Sequence, residues 1–263
     1  RSDSEKSQGP SSRHEFTRTV ASGGARHHGF GETLDMIVRM GLLDRKPDWT
    51  REEFRRHWRE THGPIAARLP GLRSYLQHHV TDSVQRGISY KRGPEQLDGF
   101  SELAFDDAAA MQAAFRSDVA PSLVEDESRF IGRLRIIAVD RREIIPPVQG
   151  KRLIKRMSLL RRRADVDAET FDREWRIEHA RLLRLMPGVD GYRQNLVVER
   201  QVVKGTPCSH DELPIDGVVE LWFEDAEALN RAFASPQGAQ AMKHAESFID
   251  EITTFIVDTH VVV

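Results

Sequence analysis

Two histidines, His62 and His179, recur in one local setting, and their side chain is the one that changes charge near neutral pH. With an ordinary pKa of about 6.5, an imidazole can take a proton from a substrate and return it, so both are candidate general acid/base residues. Each ends an aromatic series at four-residue spacing: Phe54, Trp58, His62 and Phe171, Trp175, His179. At about 3.6 residues per turn this spacing lays the three side chains along one stripe of a helix. Trp58 and Trp175 then sit one turn before the histidines, as pocket wall or as core. Tyr75 and Gln77, matched by Tyr192 and Gln194, could orient a polar substrate from a strand; facing solvent is the alternative. Glu102 and Glu220 could pair with a histidine as acid and base or set its tautomer, and a salt bridge is their other reading. His78 and His79 are neighbours, so strand alternation sends them to opposite faces and at most one joins His62; His79 is assigned to the pocket.

Metal chemistry is not expected. The chain has no HxH or HExxH spacing, and its single cysteine, Cys208, excludes a Cys-rich zinc site and an intrachain disulfide. Cys208 lies beside His210 in a loop without a cationic setting, and is read as a thiol without function.

The elements that position these residues come from a duplication. Phe54, Trp58, His62, Pro70, Gly71, Tyr75 and Gln77 map onto Phe171, Trp175, His179, Pro187, Gly188, Tyr192 and Gln194 by one shift of 117 positions (179 − 62), without a gap. Between Arg39–Val80 and Arg156–Val197, 17 of 42 positions are identical. Repeats of this kind decide the architecture before any single residue does.

In the first copy, the apolar run 36–43 predicts a strand. Thr50 and Glu53 form a capping-box pattern for a helix over 51–69, ended by Pro70-Gly71. A strand over 72–80, a polar loop over 81–96, a strand over 97–105, a helical region over 106–130 broken at Pro121, and a strand over 133–140 follow. The second copy repeats the order with strands at 152–160, 189–199, 216–223 and 251–259 and helices between. The order β-α-β-β-α-β is the split βαβ, ferredoxin-like unit. The expected organisation is a disordered leader over 1–35, repeat one over 36–141, a Pro-Pro and Gly linker over 142–151, and repeat two over 152–263. Regular structure begins at Met36, which makes that methionine an expected native start. The pair His27 and His28 in the leader is read as unstructured. Each copy would present a four-stranded sheet with helices on one face and an apolar face left bare, and two such faces bury each other. The fold class is therefore α+β, an internal pseudo-dimer forming a barrel-like pair of sheets with helices outside.

Composition limits the partners. Across 263 residues, 39% apolar and 30% charged residues are a soluble globular balance, and a net charge of −2 gives no electrostatic reason for nucleic acid or an anionic membrane surface. No apolar run approaches the roughly 20 residues of a bilayer span. One cysteine and the absence of an apolar signal core suit a cytoplasmic location.

The stretch Arg45-Lys46-Pro47, Thr50, Phe54, Trp58, His62-Gly63-Pro64, Pro70-Gly71 and Tyr75-x-Gln77 resembles the EthD domain of the dimeric α+β barrel superfamily. The second copy keeps most of it but replaces Gly-Pro after the histidine with Ala180-Arg181. The resemblance implies a ferredoxin-like domain that pairs with a second one, here supplied by the second repeat; further homo-oligomerisation is left open. It also implies a family of small-molecule chemistry, including cofactor-free muconolactone isomerases, haem-degrading monooxygenases and proteins accompanying ether-degrading oxygenases. In the methylmuconolactone isomerase branch the helix histidine matching His62 and His179 belongs to the active site, while that branch's strand cysteine is replaced here by Leu103 and Leu221. The expected function is a cofactor-free enzyme of isomerase, cyclase or lyase type, moving a proton on a lactone, enone or phenolic metabolite in catabolism. The alternatives are a non-catalytic binding protein serving an oxygenase and a haem protein with a histidine as axial ligand.

Overall fold

Short apolar runs bounded by turn residues become eight strands: β1 (Ile37–Arg45), β2 (Leu72–Asp82), β3 (Gly99–Phe105), β4 (Ile131–Ile145), β5 (Ile154–Arg162), β6 (Gly191–Gln201), β7 (Gly217–Phe223) and β8 (Ile249–Val261). The computed structural model describes residues 36–263, and the expected leader, 1–35, lies outside them. The strands hydrogen-bond in the order β1-β3-β2-β8-β5-β7-β6-β4 and close into an antiparallel barrel. Each copy contributes a four-strand sheet, β4-β1-β3-β2 and β8-β5-β7-β6, joined through β2–β8 and β4–β6.

Alternation along each strand sends one set of side chains into the barrel and the other towards the helices. Val38, Met40, Leu42, Phe100, Ile137, Met157, Leu159, Val218 and Phe255 form the shared interior. The internal pseudo-dimer is therefore a single α+β barrel whose core neither copy could complete alone.

The helix bearing each histidine departs from the uniform α-helix read from the sequence. It comprises α1 (Arg51–His57), a π-helical turn (Trp58–His62) and α2 (Gly63–Ala66); in the second copy, α5 (Ala168–Arg173), a π-helical turn (Glu174–His179) and α6 (Ala180–Leu183). Thr50 caps α1 in a complete capping box, with Thr50 N–H donating to Glu53 Oε2 at 2.9 Å. Gly71 and Gly188 hold φ of 73° and 77° in the turns beyond, where a side chain would be strained.

The rest of the helical layer is α3 (Ala108–Ala114), α4 (Ala120–Phe130), α7 (Ala226–Ala234) and α8 (Pro236–Ala245). The break expected at Pro121 falls just before it. The chain leaves the helix after Ala114 and resumes at Ala120, so Pro121 occupies the first turn of α4, where its missing N–H has no intrahelical duty. Residues 142–145, expected in the linker, continue β4, because β6 of the other copy supplies partners out to Ile145↔Tyr192.

Glycines open both third strands because each tryptophan lies across them. A Cβ at Gly99 would stand 2.3 Å from Trp58 Cζ3, and one at Gly217 2.5 Å from Trp175 Cη2.

Candidate functional site

His62 is fixed by a carboxylate the sequence reading did not name. Its Nδ1 lies 3.0 Å from Asp126 Oδ2 on α4, and His57 Nε2 lies 2.9 Å from Asp126 Oδ1. A carboxylate only accepts, so Nδ1 of His62 carries the proton and the neutral ring offers its lone pair at Nε2. Burial lowers the pKa of His62, with Glu127 and Asp126 pulling the other way. Among the described residues Nε2 has no protein hydrogen bond. The histidine lines a cavity of about 20 Å³ together with Arg39, Trp58, Tyr75, Ser101 and Glu127.

Tyr75 and Gln77 face the helix layer, not solvent. Trp58 Nε1 donates to Tyr75 Oη at 2.9 Å, and Gln77 Nε2 donates to the Trp58 carbonyl at 2.8 Å. That carbonyl also receives Gly63 N–H across the π-helical turn, so Gln77 braces the segment carrying His62. His79 packs against Trp58 with ring centroids 4.6 Å apart and lies outside the cavity lining. Burial, then Arg59 and Arg55, pushes its pKa down to about 3.

The second copy repeats the frame and permutes the chemistry. Gln194 Nε2 donates to the Trp175 carbonyl at 2.7 Å and to Tyr192 Oη at 2.5 Å. Trp175 and His179 line a largely apolar cavity of about 30 Å³ with Arg156, Leu183 and Met186. Opposite His179 stands another histidine, His244, stacked at 5.7 Å, whose Nε2 is 3.3 Å from Glu174. Glu174 corresponds to His57 (57 + 117), so the carboxylate has moved to the far side of the group. Burial, then His244, pushes the pKa of His179 down to about 3.

Glu102 and Glu220 do not join either histidine of the helices. They point into the barrel, where Arg141 donates to both, to Glu102 Oε1 at 2.7 Å and Glu220 Oε1 at 3.0 Å. His78 Nε2 approaches Glu102 Oε2 at 3.1 Å, and Lys155 Nζ sits 2.7 Å from Glu220. Burial opposes ionisation of Glu220, but Lys155 and Arg141 outweigh it and hold the carboxyl at about 2. The adjacent histidines divide as alternation required, His78 inward and His79 outward.

The EthD domain family matches residues 46–133 and again 163–252, more than half of the chain. The chain belongs to the EthD family. Solved structures similar to this tandem EthD protein include an anthrone oxidase-like protein, 11% identical over 88% of this chain and 94% of that one, with a TM-score of 0.58. A candidate monooxygenase from Fusobacterium nucleatum is 6% identical over 88% of this chain and 95% of that one, with a TM-score of 0.58. Another from Lactobacillus acidophilus is 12% identical over 86% and 95%, with a TM-score of 0.53. At such identities the likeness is one of fold. None of the curated proteins matches the chain.

The helix histidine of each EthD domain borders a small cavity. The cavities there hold about 20 and 30 Å³, against several hundred for a typical ligand pocket, and Phe130 and Phe248 pack against the rings at 5.4 and 5.6 Å. Among the described residues no group of three or more His, Cys, Asp or Glu side chains is arranged for a metal ion, and no helix is long and apolar enough to cross a membrane.

Three residues of the first EthD domain escaped the sequence reading. Asp126 is 64 positions from His62. His57, five residues before it, would diverge by roughly 140° on a regular α-helix, and only the π-helical turn narrows that angle. Arg39 carried a signal: a cation inside the apolar run 36–43, retained as Arg156 in the second copy.

Proposed function

We propose that the first EthD domain is a proton-transfer catalyst acting on a small enone, lactone or phenolic metabolite, with His62 as general base and acid. The observation carrying this is the pair Asp126–His62 with Nε2 left free at a cavity wall. Nε2 takes a proton from a carbon or hydroxyl conjugated with a carbonyl. The electron pair of that bond moves into an enolate or phenolate, and the imidazolium is stabilised by Asp126. Returning the proton to another atom of the same molecule completes an isomerisation, with no change in oxidation level and no cofactor. The cavity has room for about one water, so a substrate enters by moving side chains at its rim.

His179 is not given this role. A conjugate acid at about 3 makes it too weak a base near neutral pH, and among the described residues no carboxylate orients its ring.

The test is hydrogen–deuterium exchange into a panel of lactones, enones and phenols in heavy water, which reads proton abstraction before any net product. Exchange catalysed by the native protein and lost in His62→Ala is expected. Exchange that survives His62→Ala overturns the assignment. Tight binding without exchange would instead support a non-catalytic role beside an oxygenase, for which a fixed histidine tautomer has no use.

A further inference from the structure

Arg39 is 92% buried (8% exposed) and has neither a hydrogen bond nor an ion pair among the described residues. A buried guanidinium normally satisfies several of its five donors. Here the group lies over the Phe115 ring, 4.3 Å from its centroid, and its cavity wall is shared with His62. Stacking offsets part of the desolvation but leaves the in-plane N–H groups unused.

The second copy is the internal control. Arg156 stacks on Phe233 at 4.5 Å in the same way, yet its Nε donates to Ser158 Oγ at 3.1 Å and its Nη1 to the Arg86 carbonyl at 3.1 Å. Neither acceptor has a counterpart beside Arg39: Gly41 stands where Ser158 would be, and Arg86 is supplied by the first copy, from the long loop after β2 that packs Gly87 on Phe233 of the second. The nearest carboxylate on the cavity wall of the first copy, Glu127, is engaged at 2.7 and 2.8 Å by Lys204 from the hairpin after β6. Arg156 is satisfied by protein acceptors, one from each copy; Arg39 is left open, and the carboxylate that would compete for it is occupied by Lys204 of the second copy.

We propose that Arg39 is the anion-binding residue of the His62 site and that its substrate carries a carboxylate, held through the in-plane N–H groups while His62 works on the adjacent unsaturated carbon frame. This rests on the proposed function for the position of the chemistry and narrows the substrate class to an enone, lactone or phenol that also carries a carboxylate. Planar two-point recognition is what a guanidinium offers and an ammonium does not.

Isothermal titration of the full chain with benzoate and with its uncharged isostere benzamide tests this. The native protein should prefer benzoate by about tenfold or more, the preference vanishing in Arg39→Met, shrinking in Arg39→Lys and persisting in Arg156→Met. Thermal unfolding of each variant confirms that a loss is not loss of fold. Absence of preference in the native protein, or a preference that survives Arg39→Met, overturns the proposal. If the preference depends on Arg39 while His62→Ala still catalyses exchange, the anion site stands and the base assignment falls; the reverse pattern removes only the anion site.

Discussion

Asp126 and His244 occupy corresponding places on α4 and α8, yet one accepts from a histidine at 3.0 Å and the other stacks on a histidine at 5.7 Å. The two EthD domains share a scaffold and differ in the one group that decides what the helix histidine can do. A carboxylate fixes the tautomer of His62 and would stabilise its protonated form. A second imidazole does neither for His179.

Replacing Asp126 by Asn keeps the shape and removes the charge that supports the imidazolium. Proton exchange or turnover should fall about a hundredfold or more in kcat with KM little changed. His244→Asn, on the other side of the barrel, should leave both unchanged. Steady-state kinetics on a substrate identified by exchange checks the pair.

Acid should destabilise this protein through its buried histidines. Folding lowers His179 and His79 from 6.5 to about 3, so between those values the unfolded chain binds protons that the folded one does not. Their stability contribution is complete above about pH 6.5 and is lost as pH falls towards 3, with a slope of at most about 1.4 kcal/mol per pH unit for each. Urea titrations from pH 7 to 4 should show it, and His179→Leu should flatten the slope.

Arg141→Met strips the shared cation from Glu102 and Glu220 inside the barrel. A loss of about 3–5 kcal/mol at pH 7 is expected, because two buried carboxylates lose their partner. In the native protein Glu220 titrates at about 2, against 4.5 ordinarily, so its contribution is present above 4.5 and lost on acidification towards 2. The variant should keep the part of that dependence owed to Lys155 and lose the part owed to Arg141, so its deficit against the native protein should shrink in acid. Chemical denaturation at pH 7 and pH 4 separates the two.

Gly99→Ala and Gly217→Ala each force a methyl group into an indole ring. Each should cost about 2 kcal/mol or more. Gly99→Ala should also impair proton exchange, since Trp58 and His62 share the π-helical turn, whereas Gly217→Ala should lower only the melting temperature.

Gln77→Leu removes the amide that braces the Trp58 carbonyl. A loss of about 1–3 kcal/mol is expected, and kcat should drop through displacement of His62 without an altered pH optimum. Melting curves and a pH–rate profile decide it.

The elements of this chain were legible because their signals are local. A capping box, a Pro-Gly stop, alternation across His78 and His79, and a 117-residue repeat each depend on neighbours a few positions away or on the chain's likeness to itself. From these followed the order of elements along the chain, the duplicated α+β architecture and the bare apolar faces that close the barrel. The π-helical turn was not legible, because its extra residue is held by Gln77 from β2. Nor was the length of β4, whose last residues pair with the other copy. Sequence alone brought forward Glu102 and Glu220 as partners for a histidine or for a salt bridge without saying which; the pleat put them inside the barrel, where both meet Arg141 and Glu102 meets His78. It passed over Asp126 and left Arg39 as one cation in an apolar strand. Which arginine is satisfied and which histidine meets a carboxylate is settled by contacts between segments 64 to 77 residues apart, and such contacts exist only once the sheets have closed.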